Sequence, residues 1–121
     1  MNPKDIFIGR HIKDFWISDN RTEMKFYTDD GTVVIECEPD CCSEAWIEHI
    51  DFPECLRDAM VVEVEEIKWH MLEEGMLGYS GRQLVDQIYF LKIRTTKGYA
   101  TIDYRNSSNG YYGTRLNWSK E

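Results

Sequence analysis

The sequence predicts an α+β domain: an antiparallel sheet of about six to seven strands, in the order β-β-β-α-β-β-β-β, with one or two short helices packed on it. Apolar and polar residues alternate in most segments, and short turn signals separate these segments, which favours strands. The helix is predicted over 41–50, because capping residues precede it and Trp46 and Ile50 lie four residues apart. A length of 121 residues fits a single domain, 1–121.

The first three strands are predicted as a meander over 11–18, 23–28 and 32–38. Each segment is rich in aromatic or β-branched residues, which fit a pleated, half-buried surface. The Asp-Asp-Gly sequence at 29–31 predicts a tight hairpin, because Gly adopts the positive φ that such turns need.

The rest of the chain is predicted to contain a second helical turn beginning at 51–54 and four further strands. A long glycine-containing loop interrupts these strands, and loops of that length are often functional. The predicted segments are a strand over 60–71, the loop 72–84, and strands over 87–95, 99–105 and 111–118.

Charge is divided unevenly along the chain, whose net charge is −8. Residues 31–75 carry thirteen acids against two bases, whereas residues 76–121 carry seven bases against three acids. A protein this acidic is not expected to bind duplex nucleic acid, which requires many phosphates to be neutralised. Because no segment has the apolar length of a membrane span or a signal peptide, we expect a cytoplasmic protein with no membrane partner.

The four cysteines permit three interpretations. In a reducing compartment, Cys37, Cys41, Cys42 and Cys55 are not expected to form a disulfide framework. Cys37, Cys41 and Cys42 with His49 offer soft ligands for zinc, although the usual two-residue spacing is absent. The alternatives are burial as small apolar side chains and, for Cys41 or Cys42, a reactive thiol near a helix N-terminus. We therefore expect no cofactor, with zinc as the alternative.

No pattern of residues predicts catalysis. Strand alternation places Glu63 and Glu65 on one face and Glu66 on the other, so solvent exposure accounts for these acids. No nucleophile with a neighbouring base emerges, and we do not expect an enzyme.

Tyrosine and arginine residues interleave in the three C-terminal strands. Aromatic faces stack on nucleobases, and guanidinium groups match phosphate oxygens in a fork. The sequence therefore predicts a binding surface for a small nucleotide ligand, formed by Arg94, Arg105, Asn109, Gly110, Tyr111, Tyr112 and Arg115.

Two clusters carry a resemblance to a known family. One is Asp-Cys-Cys-Ser-Glu at 40–44 with Ile-Glu-His-Ile at 47–50; the other is Lys-Ile-Arg-Thr-Thr-Lys-Gly at 92–98 with Ser-Asn-Gly-Tyr-Tyr at 108–112. With these motifs the chain resembles a family of small, functionally uncharacterised domains encoded by bacteriophages. The resemblance implies a phage origin and a small accessory role, and it brings no catalytic residues.

Small size, the lack of a catalytic pattern and this resemblance together lead us to expect a non-catalytic phage protein that counters bacterial defence in the host cytoplasm. In one mechanism, a homo-oligomer sequesters a nucleotide-type immune signal on the tyrosine–arginine surface. In the other, the acidic segment 36–74 blocks a host defence protein that carries a basic surface. The alternative is a metal-stabilised structural or regulatory phage module without a ligand-capture role.

Overall fold

A computed structural model describes residues 2–40, 42–110 and 113–121, apart from the side chain of Lys4. Eight strands form one antiparallel sheet in the order β4-β7-β6-β5-β1-β2-β3-β8. The strands are β1 His11–Ile17, β2 Glu23–Thr28, β3 Gly31–Pro39, β4 Glu44–Asp51, β5 Ala59–Glu73, β6 Val85–Thr95, β7 Gly98–Ser108 and β8 Thr114–Lys120. The described helices are a single turn, α1 Pro3–Ile6, and a 3-10 helix, Pro53–Leu56. Neither is long and apolar enough to cross a membrane.

The predicted α+β fold is wrong, because the structure is nearly all β. The helix predicted over 41–50 is strand β4, which pairs with β7 along its whole length. The 3-10 helix confirms the helical turn predicted after residue 50, but no described helix exceeds four residues. No helical layer therefore covers the described part of the sheet.

The N-terminal meander is confirmed with small changes at its ends. Strand β2 pairs with β3 in register from Glu23 opposite Glu36 to Thr28 opposite Gly31. Gly31 has a φ of 89°, as the predicted tight turn requires. Strand β7 runs on to Ser108, so the predicted loop at 106–110 is partly strand. Residues 111 and 112, which begin the last predicted strand, lie outside the described residues.

One apolar core joins the two halves of the sheet, β1-β2-β3-β8 and β4-β7-β6-β5. The two halves are joined by β1 and β5, which pair at only two residue positions. Residues from both halves belong to the same buried cluster, so the sheet folds over and its two inner faces meet. The ring of Phe7 fills one end, 4.8 Å from Phe26 and 5.7 Å from Trp118 between ring centroids. The core residues include Met24, Phe26, Ile35, Cys37, Ile47, Leu91, Ile93, Ile102 and Tyr104.

The connection between β5 and β6, residues 74–84, lies over the outer face of the second half; we call it the strap. Its Ser80 donates from both N and Oγ to the buried carboxylate of Asp86, at 2.6 and 2.8 Å. Further along the strap, the Arg82 guanidinium lies 3.8 Å from the centre of the Trp46 ring. The strap thus buries side chains on the outer face that would otherwise be exposed to water.

Candidate functional site

The two predicted ligand-binding arginines of β6 and β7 lie on the outer face of the sheet. Arg94 forms an ion pair with Glu63 at 3.4 Å, and Arg105 forms one with Asp103 at 2.9 Å. Tyr99 is the β7 residue opposite Arg94, and Arg105 lies six residues beyond it. At the rise of an extended strand, these positions are roughly 20 Å apart. Each guanidinium already has a carboxylate partner, and the two do not meet.

The remaining members of the predicted surface lie elsewhere. Arg115 belongs to β8, where its Nε donates to Glu38 Oε2 at 3.3 Å. Asn109 and Gly110 are exposed in the connection between β7 and β8, whereas Tyr111 and Tyr112 lie outside the described residues. The described arginines are therefore distributed over the molecule rather than gathered into one patch.

The uneven charge of the sequence is largely balanced across neighbouring strands. Glu63 lies opposite Arg94 and Glu65 opposite Lys92 in the pairing of β5 with β6. Opposite charges directly across an antiparallel pair attract, so two of the seven C-terminal bases face acids of β5. The basic surface expected from the charge count is weaker for that reason.

The cysteines do not converge within the described part of the chain. Cys37 is buried in the core, and this burial raises the pKa of its thiol to about 12. Cys42 is exposed, and the exposed ring of His49 contacts Asp51 at 2.9 Å. No group of three histidine, cysteine or acidic side chains able to hold a metal ion occurs among the described residues. Cys41 lies outside them.

A cleft opens between β8 and the inner side of β5, β6 and β7. Its volume is about 240 Å³. Of the predicted binding residues that the structure describes, only Arg115 is among those that line it. The lining residues are Glu66, Ile67, Lys68, Tyr89, Tyr104, Thr114, Arg115 and Leu116.

Two stacked tyrosine rings form the floor of the cleft. The centroids of Tyr89 and Tyr104 lie 5.2 Å apart, with 12° between the ring planes. The Tyr89 hydroxyl donates to Gln87 Oε1 at 2.6 Å and accepts from the backbone N of Thr114 at 3.4 Å. Burial raises the pKa of both tyrosines, and the nearby Glu66 raises that of Tyr104 further. Both phenols are therefore neutral at physiological pH.

Charged side chains of both signs stand at the mouth of the cleft. Glu66 accepts a hydrogen bond from the Trp118 indole N–H at 3.3 Å. The Arg115 side chain is 77% exposed, so its contact with Glu38 leaves most of the guanidinium accessible. Lys68 is exposed as well, and it forms no ion pair with another described residue. The cleft thus combines two cationic groups, one carboxylate and a neutral aromatic floor.

Sequence reasoning missed most of this site, although one local signal was present. The turn at 96–97 sets the register of β6 against β7, and counting back from it pairs Tyr89 with Tyr104. Alternation then places both rings on the face that carries Leu91 and Ile102. No comparable signal places β8 against Glu66, because these segments are separated by about fifty residues and meet only in the tertiary structure.

Comparison with known proteins identifies a family for this chain but does not indicate a function. A family model described as a domain of unknown function (DUF7448) matches residues 5–118. No curated protein matches the chain, and no solved structure matches it.

Proposed function

We propose a function for this chain, which belongs to the DUF7448 family: it is a non-catalytic binding protein whose cleft takes a small nucleotide-type ligand. The observation that carries the proposal is the presence of Lys68, Arg115 and Glu66 around one cleft. Cations at the mouth match phosphate oxygens, and a guanidinium binds them in a fork.

The carboxylate narrows the class of ligand. A purely anionic molecule would be repelled by Glu66, whereas a nucleotide carries hydrogen-bond donors on its base and ribose besides its phosphates. Carboxylates accept hydrogen bonds from ribose hydroxyls in dinucleotide-binding folds. Glu66 is suited to that role, since the Trp118 indole holds one of its oxygens.

The protonation state of the two tyrosines in the cleft floor supports binding of a ligand rather than catalysis. A general base must lose its proton near the working pH, and both tyrosine hydroxyls have pKa values moved away from neutrality by burial. In this proposal the phenols contribute shape and neutral polar contacts, and the ligand is held unchanged.

We also propose a phage accessory role for this binding, in which the protein sequesters a nucleotide-type immune signal in the cytoplasm of the bacterial host. The support is the resemblance to phage-encoded domains through the motifs at 40–50 and 92–112. In this proposal each chain, alone or within a homo-oligomer, binds one ligand in its cleft.

Isothermal titration against cyclic dinucleotides, mononucleotides and ADP-ribose tests the binding. We expect one of these to bind, and Arg115→Ala and Lys68→Ala each to weaken it at least tenfold, about 1.4 kcal/mol. Arg94→Ala is the matched control, because Arg94 is paired on the outer face and does not line the cleft. Absence of heat with every nucleotide, or an equal loss in the control, would contradict the proposal.

A further inference from the structure

Strand β5 has one fully paired edge and one edge that is largely open. Toward β6 it is paired from Val61 to Glu73. Toward β1 it is paired only at Ala59 and Met60, and Val61 forms the last backbone hydrogen bonds on that side, with Gly9 and Arg10. Among the described residues, no backbone partner occupies this edge over residues 62–72, whereas the Glu73 carbonyl accepts a hydrogen bond from Met76 N at 3.0 Å.

The edge of β4, by contrast, is covered by another part of the chain. The backbone N of Ile47 donates to the carbonyl of Arg21 at 2.7 Å. The Arg21 side chain returns to the same strand, donating from Nε to the Ile47 carbonyl at 2.6 Å and from Nη2 to the Glu48 carbonyl at 3.2 Å. Proteins commonly cover edge strands in this way, because unpaired N–H and C=O groups attract other strands. The edge of β5 lacks such a cover in the described structure.

The open edge also has a distinctive composition. Between residues 62 and 73, four glutamates are accompanied by a single lysine, Lys68. Trp69 and Met71 are 61% and 39% exposed beside these charges. The longest stretch without a register shift runs from Glu63 to Lys68, which is long enough to pair with a short extended segment. Carboxylates next to exposed apolar groups are complementary to a segment in which basic and apolar residues alternate.

We propose that the open edge of β5, residues 62–72, binds an extended basic segment of another protein by strand addition. Alternate backbone N–H and C=O groups of β5 form the ladder, and the carboxylates select lysine or arginine side chains on the incoming strand. A second copy of the chain would bring the same excess of carboxylates to this edge, and like charges facing each other are destabilising.

This interaction goes beyond nucleotide capture and can be separated from it. Glu66 and Lys68 belong both to the edge and to the cleft, so neither is suitable for the test. Glu65 and Glu73 lie on the edge and do not line the cleft. Both are exposed, and their replacement removes charge without opening the core.

The test uses a fluorescein-labelled eight-residue peptide of alternating lysine and valine, followed by fluorescence anisotropy. We expect it to bind, and the double variant Glu65→Lys, Glu73→Lys to bind it at least tenfold more weakly. The charge-matched control is the double variant Asp19→Lys, Glu54→Lys, at exposed sites in the turn between β1 and β2 and in the 3-10 helix, and it should bind normally. Nucleotide binding should be retained in the double variant, which distinguishes failure at the edge from failure at the cleft.

The same peptide N-methylated at every residue keeps its charges but cannot donate backbone hydrogen bonds. Strand addition predicts loss of its binding and, for the unmethylated peptide, slower hydrogen exchange of alternate amides within 62–72. The proposal is overturned if neither peptide binds, if the methylated peptide binds equally well, or if the protected amides lie elsewhere. It is likewise overturned if sedimentation shows a dimer whose β5 amides are protected without peptide.

Discussion

Replacing Tyr89 with phenylalanine removes one oxygen atom from the floor of the cleft and leaves the ring stack with Tyr104 in place. The lost hydroxyl donates to Gln87 Oε1 at 2.6 Å and accepts from Thr114 N at 3.4 Å. Gln87 is only 4% exposed, so water cannot easily replace the missing donor. A buried acceptor left without a partner costs about 1–3 kcal/mol, and the longer Thr114 bond adds little. We expect Tyr89→Phe to lower the free energy of unfolding by about 2 kcal/mol.

Urea unfolding followed by tryptophan fluorescence measures this loss. With a slope of about 2 kcal/mol per molar urea, the midpoint should fall by about 1 M without a change in slope. Tyr99→Phe is the matched control, because Tyr99 is 53% exposed on the outer face. If Tyr89→Phe proves as harmless as Tyr99→Phe, loss of the hydroxyl does not leave the buried Gln87 acceptor without a partner, and our account of the cleft floor is incorrect.

Three further predictions concern the core and its thiols. Leu91→Ala should destabilise the protein by about 2–5 kcal/mol in urea unfolding, since Leu91 is fully buried, whereas Leu84→Ala, at an exposed site, should change little. Iodoacetamide at pH 8 should modify the exposed Cys42 and leave the buried Cys37 intact until the protein unfolds. Peptide mass spectrometry measures the modification of each thiol, and equal modification of both would contradict the burial of Cys37. Stability should also fall at alkaline pH, because the Cys37 thiol has a pKa of about 12 when folded and 9.0 ordinarily, so the unfolded chain releases its proton first. The loss from this thiol should approach about 1.4 kcal/mol per pH unit above pH 9, and Cys37→Val should make the slope shallower by that amount. Tyr89 and Tyr104, whose pKa values burial also raises, account for the slope that remains. A slope unchanged in that variant would contradict the assignment.

The error over residues 41–50 has a definite physical cause. Ala45, Trp46 and Ile47 are all buried, so the strand lacks the alternation by which half-exposed strands are recognised. Trp46 is buried on the outer face because Arg82 of the strap covers its ring. A register shift between Ile47 and His49 then disturbs the spacing further. The spacing of apolar residues that remains matches a helix, whereas the segment forms a strand by pairing with β7, and the strap accounts for the burial of Trp46.

At the end of β7, polar residues made the sequence-based prediction fail for a similar reason. Asn106, Ser107 and Ser108 resemble a loop in sequence, yet all three are buried at the end of a strand. Asn106 Nδ2 donates to Ser43 Oγ at 2.9 Å and to the carbonyl of Gly113 at 3.1 Å. Ser43 is distant in the sequence and Gly113 lies seven residues further along, and their hydrogen bonds make burial of the Asn106 amide nitrogen tolerable.

The sequence by itself determined the hairpins, because turn chemistry and two-residue alternation act over a few neighbouring residues. It therefore predicted the meander and, within a few residues, the bounds of the described strands other than β4. The tertiary structure alone decided which strands face each other across the core. That choice brings β8 to Glu66 to form the cleft, and lets β1 diverge from β5 to leave an edge open. Such contacts depend on the packing of the whole sheet, for which no short stretch of residues carries a signal.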